Sequence, residues 1–348
     1  MYMPPLETLT ASQILAIPPT EPERLFSGDP ASLRHEFVVL VKCWHPDRNG
    51  SSEAAKVMER VVALHDAAKR KHAVGEWSAP GVIRMDTTTG NSLILKVKRR
   101  HEFELGEMAV AINHVAFLVE KEHTTLFETG LRRIKEIRYP DARIRGDLAK
   151  FMPDVQGVYE TDKHHVAIMA KTEDVILLKD LVAHVGGQLP PKHTAWVISS
   201  LLNLACFFDV TGLTHNAISP ETIFVTAKYH AVYVLGGWWY AAPTGSRIEL
   251  LPDMTYALMP RSMATSKCAD IRLDLESIRA VGRTILGDST GLGLVGREDL
   301  PKPMTNFLRL PSSGSAIEDY QAWEKTLKDS FGPRCFMELP ISSRDVYS

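Results

Sequence analysis

Three neighbouring side chains of contrasting chemistry, His45, Pro46 and Asp47, stand in the stretch CWHPDRNG. The histidine offers a planar donor and acceptor, the aspartate a carboxylate for a cationic group, and the proline a fixed backbone. None of the three requires a metal, and the cluster suits contact with another protein. A second stretch, LTHNAISPETIFV from Leu213, follows an apolar run that ends at Phe208. Glu221 and Asp209 are the side chains there that acid–base chemistry would use; their plainer roles are a salt-bridge partner at a loop and a helix-end surface residue. A third stretch, GLGLVG, puts Gly291, Gly293 and Gly296 at G-x-G-x-x-G spacing. It follows a helical pattern instead of a strand, so it reads as a loop and is assigned no nucleotide. Cys43, Cys206, Cys268 and Cys335 lack the paired spacing of a zinc site and are expected as reduced core cysteines.

Helices must carry the first cluster. Asp29 is a possible N-cap with Pro30 at the first helical position, and Leu33, Phe37, Leu40, Val41 and Trp44 follow at helical spacing. Pro46 disfavours helical geometry at His45 and Asn49-Gly50 signals a turn. Ser51 or Ser52 then caps a second helix whose stripe is Ala54, Val57, Met58, Val61, Leu64 and Ala68. Upstream, six prolines within residues 1–30 leave room only for a short helix around Ser12 to Ala16. After Trp77, SAPGVIRMDTTTGN reads as a linker or the approach to a first strand. Strand patterns follow in SLILKVK, EMAVAI and HVAFLVE, then a helix from about Thr125 to Ile137 and strands at Asp154–Tyr159 and His165–Ala170. Beyond Leu178 the texture is mainly helical, with a core helix in HTAWVISSLLNLACFFDVTG, short strands in ETIFV and AVYVLGG, and helices at Asp270–Leu286 and Tyr320–Ser330.

The chain has 348 residues, 45% hydrophobic and 24% charged, enough for one large core or two smaller ones. A net charge of −2 argues against a general nucleic-acid footprint, although a basic patch at Lys96 to Arg100 is possible. The N-terminus has no basic leader followed by a long apolar run, and no eighteen apolar residues are consecutive, so neither secretion nor membrane spanning is expected. The expected home is a reducing cytoplasm.

The hairpin text LRHEFVVLVKCWHPDRN…AAKVMERVVALHDAAKRK, over about residues 31 to 72, resembles the J-domain of DnaJ-type co-chaperones. The resemblance implies that His45, Pro46 and Asp47, with basic residues on the preceding helix, contact a DnaK-type ATPase and stimulate its ATP hydrolysis. Here those basic residues are Arg34 and Lys42, with Arg48 just after the motif; family members are usually more basic, which implies weaker electrostatic steering.

LTHNAISPETIFV with YHAVYVLGGWW resembles the catalytic loop and metal-binding strand of protein kinases, but with their chemistry removed. Laid over that family's motifs, Ala217 stands at the catalytic aspartate, Ser219 at the lysine, Thr222 at the metal-binding asparagine and Gly236 at the metal-binding aspartate. Leu118 stands where the phosphate-gripping lysine belongs, with Lys121 displaced by three residues. Gly106 is the lone glycine where the phosphate-covering loop should be. Trp238-Trp239 either fills a cleft or packs in the core. Asp274 resembles the aspartate that braces the catalytic loop, and DLESIRAVGRTIL the buried helix behind it.

The expected fold class is α+β: a small all-α J-domain hairpin (1–77), a linker (78–91), and a bilobal kinase-like domain with a mostly β N-lobe (92–178) and a mostly α C-lobe (179–340), then a tail (341–348). The expected function is a non-catalytic co-chaperone without cofactor or metal, whose partners are a DnaK-type ATPase and a protein client, with no nucleic acid and no membrane. The alternatives are an atypical phosphotransferase, and a structural or assembly protein whose HPD engages no chaperone.

Overall fold

Asp29 accepts a hydrogen bond from the Ala31 N–H, and Pro30, which has no N–H to lose, opens the first long helix. The computed structural model describes residues 6–75, 77, 80–333 and 335–347. Positions 78 and 79 of the expected linker, 1–5 of the N-terminal segment and 348 of the tail lie outside the described residues. The helices of the N-terminal part are α1 (Ala11–Leu15), α2 (Pro30–Trp44) and α3 (Ala54–Ala73). A capping box between Thr10 and Gln13 starts α1. The third helix begins after the expected Ser51 or Ser52: the Ser51 hydroxyl takes the Glu53 N–H, and Glu53 is the N-cap without a side-chain bond.

Ile14, Leu25, Phe26, Leu33, Leu40, Val57, Val61 and Leu64 form one buried cluster in which α1 packs on α3 and α2 lies beside it. Leu40 and Leu64 have no exposed surface, and such burial stabilises by about 2 kcal/mol each. Phe37 and Trp44 are only half buried at its edge.

Two compact units divide the chain, Met1–Lys121 with Gly157–Ile168, and Glu122–Gln156 with Met169–Ser348. In the first, the three helices share their unit with the strands β1 (Val82–Asp86), β2 (Ser92–Phe103), β3 (Gly106–Ala111) and β4 (His114–Glu120), joined as antiparallel neighbours. The stretch expected as linker or strand approach thus holds β1. The sheet is completed by β5 (Val155–Glu160) and β6 (His164–Ala170) in the order β1-β2-β3-β4-β6-β5. One face of it buries Leu95, Val97, Ala109, Ala116, Leu118 and Val166.

Charged groups fasten the helices to the strands. Lys71 of α3 pairs with Glu23, which is 5% exposed, and Arg100 of β2 pairs with Glu107. Arg24 donates to the Lys98 carbonyl at 3.1 Å, and Arg100 reaches the Thr20 carbonyl. The basic patch expected at Lys96 to Arg100 is therefore split: Lys96 and Lys98 are exposed while Arg100 turns into this network.

The second unit contains α4 (Thr124–Lys135), α5 (Ala142–Leu148), α6 (Leu178–His184), α7 (Pro191–Thr211), α8 (Asp253–Tyr256), α9 (Arg261–Ser266), α10 (Ile271–Ile285), α11 (Lys302–Arg309), α12 (Ala316–Phe331) and α13 (Ser343–Val346). Its centre is α7, which packs on α10 and α12. By length and composition this helix is apolar enough to cross a membrane; here Val197, Ile198, Leu201, Leu204 and Phe208 are buried in the unit's core. Gly212, at φ +67°, ends it in the left-handed conformation. Arg279 of α10 and Asp319 of α12 form a buried ion pair at 2.6 Å. The short strands β7 (Ile176–Leu177), β9 (Ile223–Thr226) and β10 (Ala231–Val234) form a sheet in the order β10-β9-β7, and β8 (Leu213–Thr214) pairs with β11 (Ala242–Pro243). The chain is mixed α and β, as an α+β fold requires.

The cysteines depart from expectation: Cys43, Cys206 and Cys268 are only partly buried, Cys335 is exposed, and all four are free thiols. Burial beside Asp209 and Asp319 pushes the Cys206 thiol up to about 11.

Candidate functional site

Pro46 ends α2 by forcing the preceding residue out of helical geometry, and His45 sits at φ −61°, ψ 128° while its N–H still reaches the Val41 carbonyl at 2.9 Å. The chain then turns back under two bonds of 2.8 Å, from the Arg48 and Asn49 N–H groups to the His45 carbonyl. The Asn49 side chain locks the turn, donating to the Cys43 carbonyl at 2.8 Å and accepting the Ser51 N–H at 2.9 Å. Within the turn the His45 Nδ1 accepts the Asp47 N–H at 3.2 Å, which fixes the ring and leaves Nε2 as its donor.

The tip is presented outward. The His45 side chain is 43% exposed, that of Asp47 87%, and Pro46 and Arg48 are also exposed. Along α2, Arg34, Val38 and Lys42 are all exposed, and their four-residue spacing sets them in one stripe leading to His45. The structure therefore gathers all six residues expected to contact a chaperone at one end of the hairpin and the adjacent helix face. Asn49 was legible as a turn residue, but its side-chain bonds to the Cys43 carbonyl and the Ser51 N–H are given only by the structure.

In the second unit, the loop between β8 and β9 is held from behind. Asp274, in the first turn of α10 and fully buried, accepts the N–H groups of His215 and Asn216, both at 2.7 Å. Asn216 adopts φ +63° and donates its side-chain amide to the Tyr240 carbonyl at 2.9 Å. The His215 ring meets the Gly236 carbonyl at 3.0 Å, so Nε2 carries the proton and donates. Burial drives this imidazole down to about 4 and pushes the Asp274 carboxyl up to about 7 against the pull of its two N–H donors. His215 is consequently neutral at pH 7. Its ring stands edge-on to Trp238 at 5.4 Å.

At the positions a kinase would use, the Ser219 and Thr222 hydroxyls are spent on the loop itself and Ala217 and Gly236 offer no polar side chain. Ala217 is buried, and the Thr222 hydroxyl donates to its carbonyl and accepts the Ser219 N–H at 3.1 Å. Gly236 backs onto Thr222, and a Cβ added at Gly237 would lie 2.9 Å from the Ala217 methyl. Trp238 and Trp239 pack in the core: Trp238 donates to the Val234 carbonyl at 2.8 Å, and Trp239 stacks on Phe127. Glu221 pairs with Lys179 at 2.7 Å, and Asp209 accepts the Ala316 N–H at the start of α12.

In the first unit, Leu118 is buried on β4, while Lys121 stands just past the strand's end and pairs with Glu160 at 2.8 Å. Gly106 opens β3 at φ +147°, where a Cβ would fall 2.1 Å from the Leu118 carbonyl oxygen, so its lack of a side chain serves strand packing. The G-x-G-x-x-G stretch is a loop with a 3-10 turn at Gly293–Gly296, and its Gly293 and Leu294 N–H groups bond the Asp288 carboxylate. Among the described residues no cluster of three or more His, Cys, Asp or Glu is placed to hold a metal ion. No protein-family model matches the chain, and no curated protein matches it.

Proposed function

We propose that the chain is a non-catalytic co-chaperone of the J-domain kind, which recruits a DnaK-type ATPase through His45, Pro46 and Asp47 and stimulates its ATP hydrolysis. The observation that carries this reading is the pre-set, outward-facing tip: Pro46 bends the chain, Asn49 locks the turn, and the His45 ring is held by the Asp47 N–H while remaining accessible. Arg34, Lys42 and Arg48 flank the tip with positive charge, which steers an acidic partner surface toward it. Asp47 offers a carboxylate to a cationic group on the ATPase.

For the remainder we propose a bilobal kinase-like domain that has lost its catalytic groups and holds a client or partner. Support comes from Asp274 bracing the 215–216 backbone, from the order of loop, two short strands and buried helix, from the methyl at Ala217, and from the Ser219 and Thr222 hydroxyls engaged within the loop.

The test is single-turnover and steady-state ATP hydrolysis by several DnaK-type chaperones with the intact protein, wild type against His45→Gln. Stimulation by wild type and none by His45→Gln is expected. Failure of folded wild-type protein to accelerate any of them, or equal acceleration by the variant, would refute the reading.

A further inference from the structure

Between Arg132 and Lys150 the chain carries seven cationic and three acidic side chains, although its overall net charge is −2. This stretch, with the residues just after it, walls an open pocket of about 930 Å³ in the second unit. Ile137, Tyr139 and Met152 supply an apolar lining. Lys135, Arg145 and Lys150 line it as well, exposed and, among the described residues, without a carboxylate partner.

The pocket's own acids are engaged. Asp141 caps α5 by accepting the Ile144 N–H at 2.8 Å, and Asp154 accepts the Gln156 side-chain amide at 2.6 Å. These neutral donors leave both carboxylates charged, so the lining carries three cations against two anions, a net positive charge that favours an anionic ligand.

We propose that this pocket binds an acidic peptide segment of a partner protein, with carboxylates on Lys135, Arg145 and Lys150 and one apolar side chain between Ile137 and Met152. The three cations sit on separate elements, the end of α4, α5 and the 3-10 turn Ala149–Phe151, which matches carboxylates spaced along a peptide. A phosphoryl group calls for converging backbone N–H donors, and the nearest helix start, that of α5, is already filled by Asp141. A nucleic acid calls for free ring faces: Tyr139 is stacked on Phe207 at 5.4 Å, and Phe151 meets Tyr233 edge-on with the Lys150 ammonium over its ring.

The inference uses none of the tip residues, and it stands or falls separately from the co-chaperone reading. The experiment is a fluorescence-anisotropy titration of the full chain with a labelled peptide of alternating Glu and Asp around a central Leu. Its comparators are the Gln/Asn version of that peptide, a phosphoserine peptide and a single-stranded oligonucleotide. The acidic peptide is expected to bind best and to weaken with salt. The triple variant Lys135→Glu, Arg145→Glu, Lys150→Glu should lose about tenfold or more in affinity, while Lys302→Glu, Lys325→Glu, Lys328→Glu, with the same charge change on exposed sites, should not. Ile137→Asp, tested against the same peptide with Leu replaced by Gly, reports on the apolar contact. Circular dichroism melts establish that each variant is folded. No binding at millimolar peptide, equal loss in both triple variants, or tighter binding of the oligonucleotide or the phosphopeptide would overturn the proposal.

Discussion

The buried pair behind the 213–222 loop makes a prediction with two opposing signs. Asp274 titrates at about 7 in the folded protein and near 3.8 in an exposed chain. Between those values the folded state holds a proton that the unfolded state has released, so its contribution to stability falls as pH rises from about 4 to 7. Three units at about 1.36 kcal/mol each make that loss about 4 kcal/mol. His215 is pushed from 6.5 down to about 4. There the unfolded state binds the extra proton, and stability rises by about 3 kcal/mol as pH climbs from about 4 to 6.5. In the wild type the two slopes nearly cancel. Asp274→Asn removes one and unmasks the other: relative to wild type, the variant gains stability as pH rises. It also starts with a deficit of about 2 kcal/mol, because an amide oxygen satisfies one of the two N–H groups and leaves the other buried without an acceptor. His215→Gln has the reverse pH trend. Urea denaturation across this range, followed by tryptophan fluorescence with Trp238 stacked edge-on beside His215, measures all three curves. If the difference between wild type and Asp274→Asn stays constant with pH, the upward push of burial on the Asp274 carboxyl is refuted.

His45→Gln should leave thermal stability unchanged, since the ring is exposed and outside the core, so any loss of chaperone stimulation is a contact effect, checked by calorimetry beside the ATPase assay. Gly106→Ala should cost about 3 kcal/mol or more, because the new methyl meets the Leu118 carbonyl at a backbone angle that side chains avoid; a denaturant titration measures it. Lys71→Met should destabilise by about 3 kcal/mol by leaving Glu23 buried and unpaired, and Lys71→Met with Glu23→Leu should recover most of that in the same assay. Arg279→Met should behave likewise, by leaving Asp319 buried without its ion partner, and Arg279→Met with Asp319→Leu should recover most of the loss in the same assay.

Local rules carried the long elements. Asp29-Pro30 and Pro46 mark both ends of α2 because capping and proline geometry act within a few residues, and the apolar stripe of α7 is continuous enough to define a core helix. Asp274 was singled out as a brace only by the resemblance to the kinase motif, and the structure gives its two N–H partners. What escaped depends on distance along the chain. The Arg100–Glu107 pair beside Thr20, and Glu23 against Lys71, join segments with no local pattern, so Arg100 read as part of a surface patch. The helix α5 follows Pro140-Asp141, a capping signal overlooked amid a dense run of charge, and α11 starts after Pro301 with another proline inside its first turn. Cys43 and Cys206 misled because an apolar neighbourhood in sequence does not say which face of a helix turns inward, and Cys268 and Cys335 lie outside the helices.

The ionic fastening between the helices and β2 bears on how a visitor at the tip would feel the rest of the unit. With Lys71 clasped to Glu23 and the Arg24 guanidinium hooked over the Lys98 carbonyl, the hairpin works as a bracket bolted to a plate, in contrast to a lure on a line. Any protein seated at the tip would dock at one bearing with respect to those strands, and a load placed there would pass into the β-layer instead of being absorbed by a slack joint.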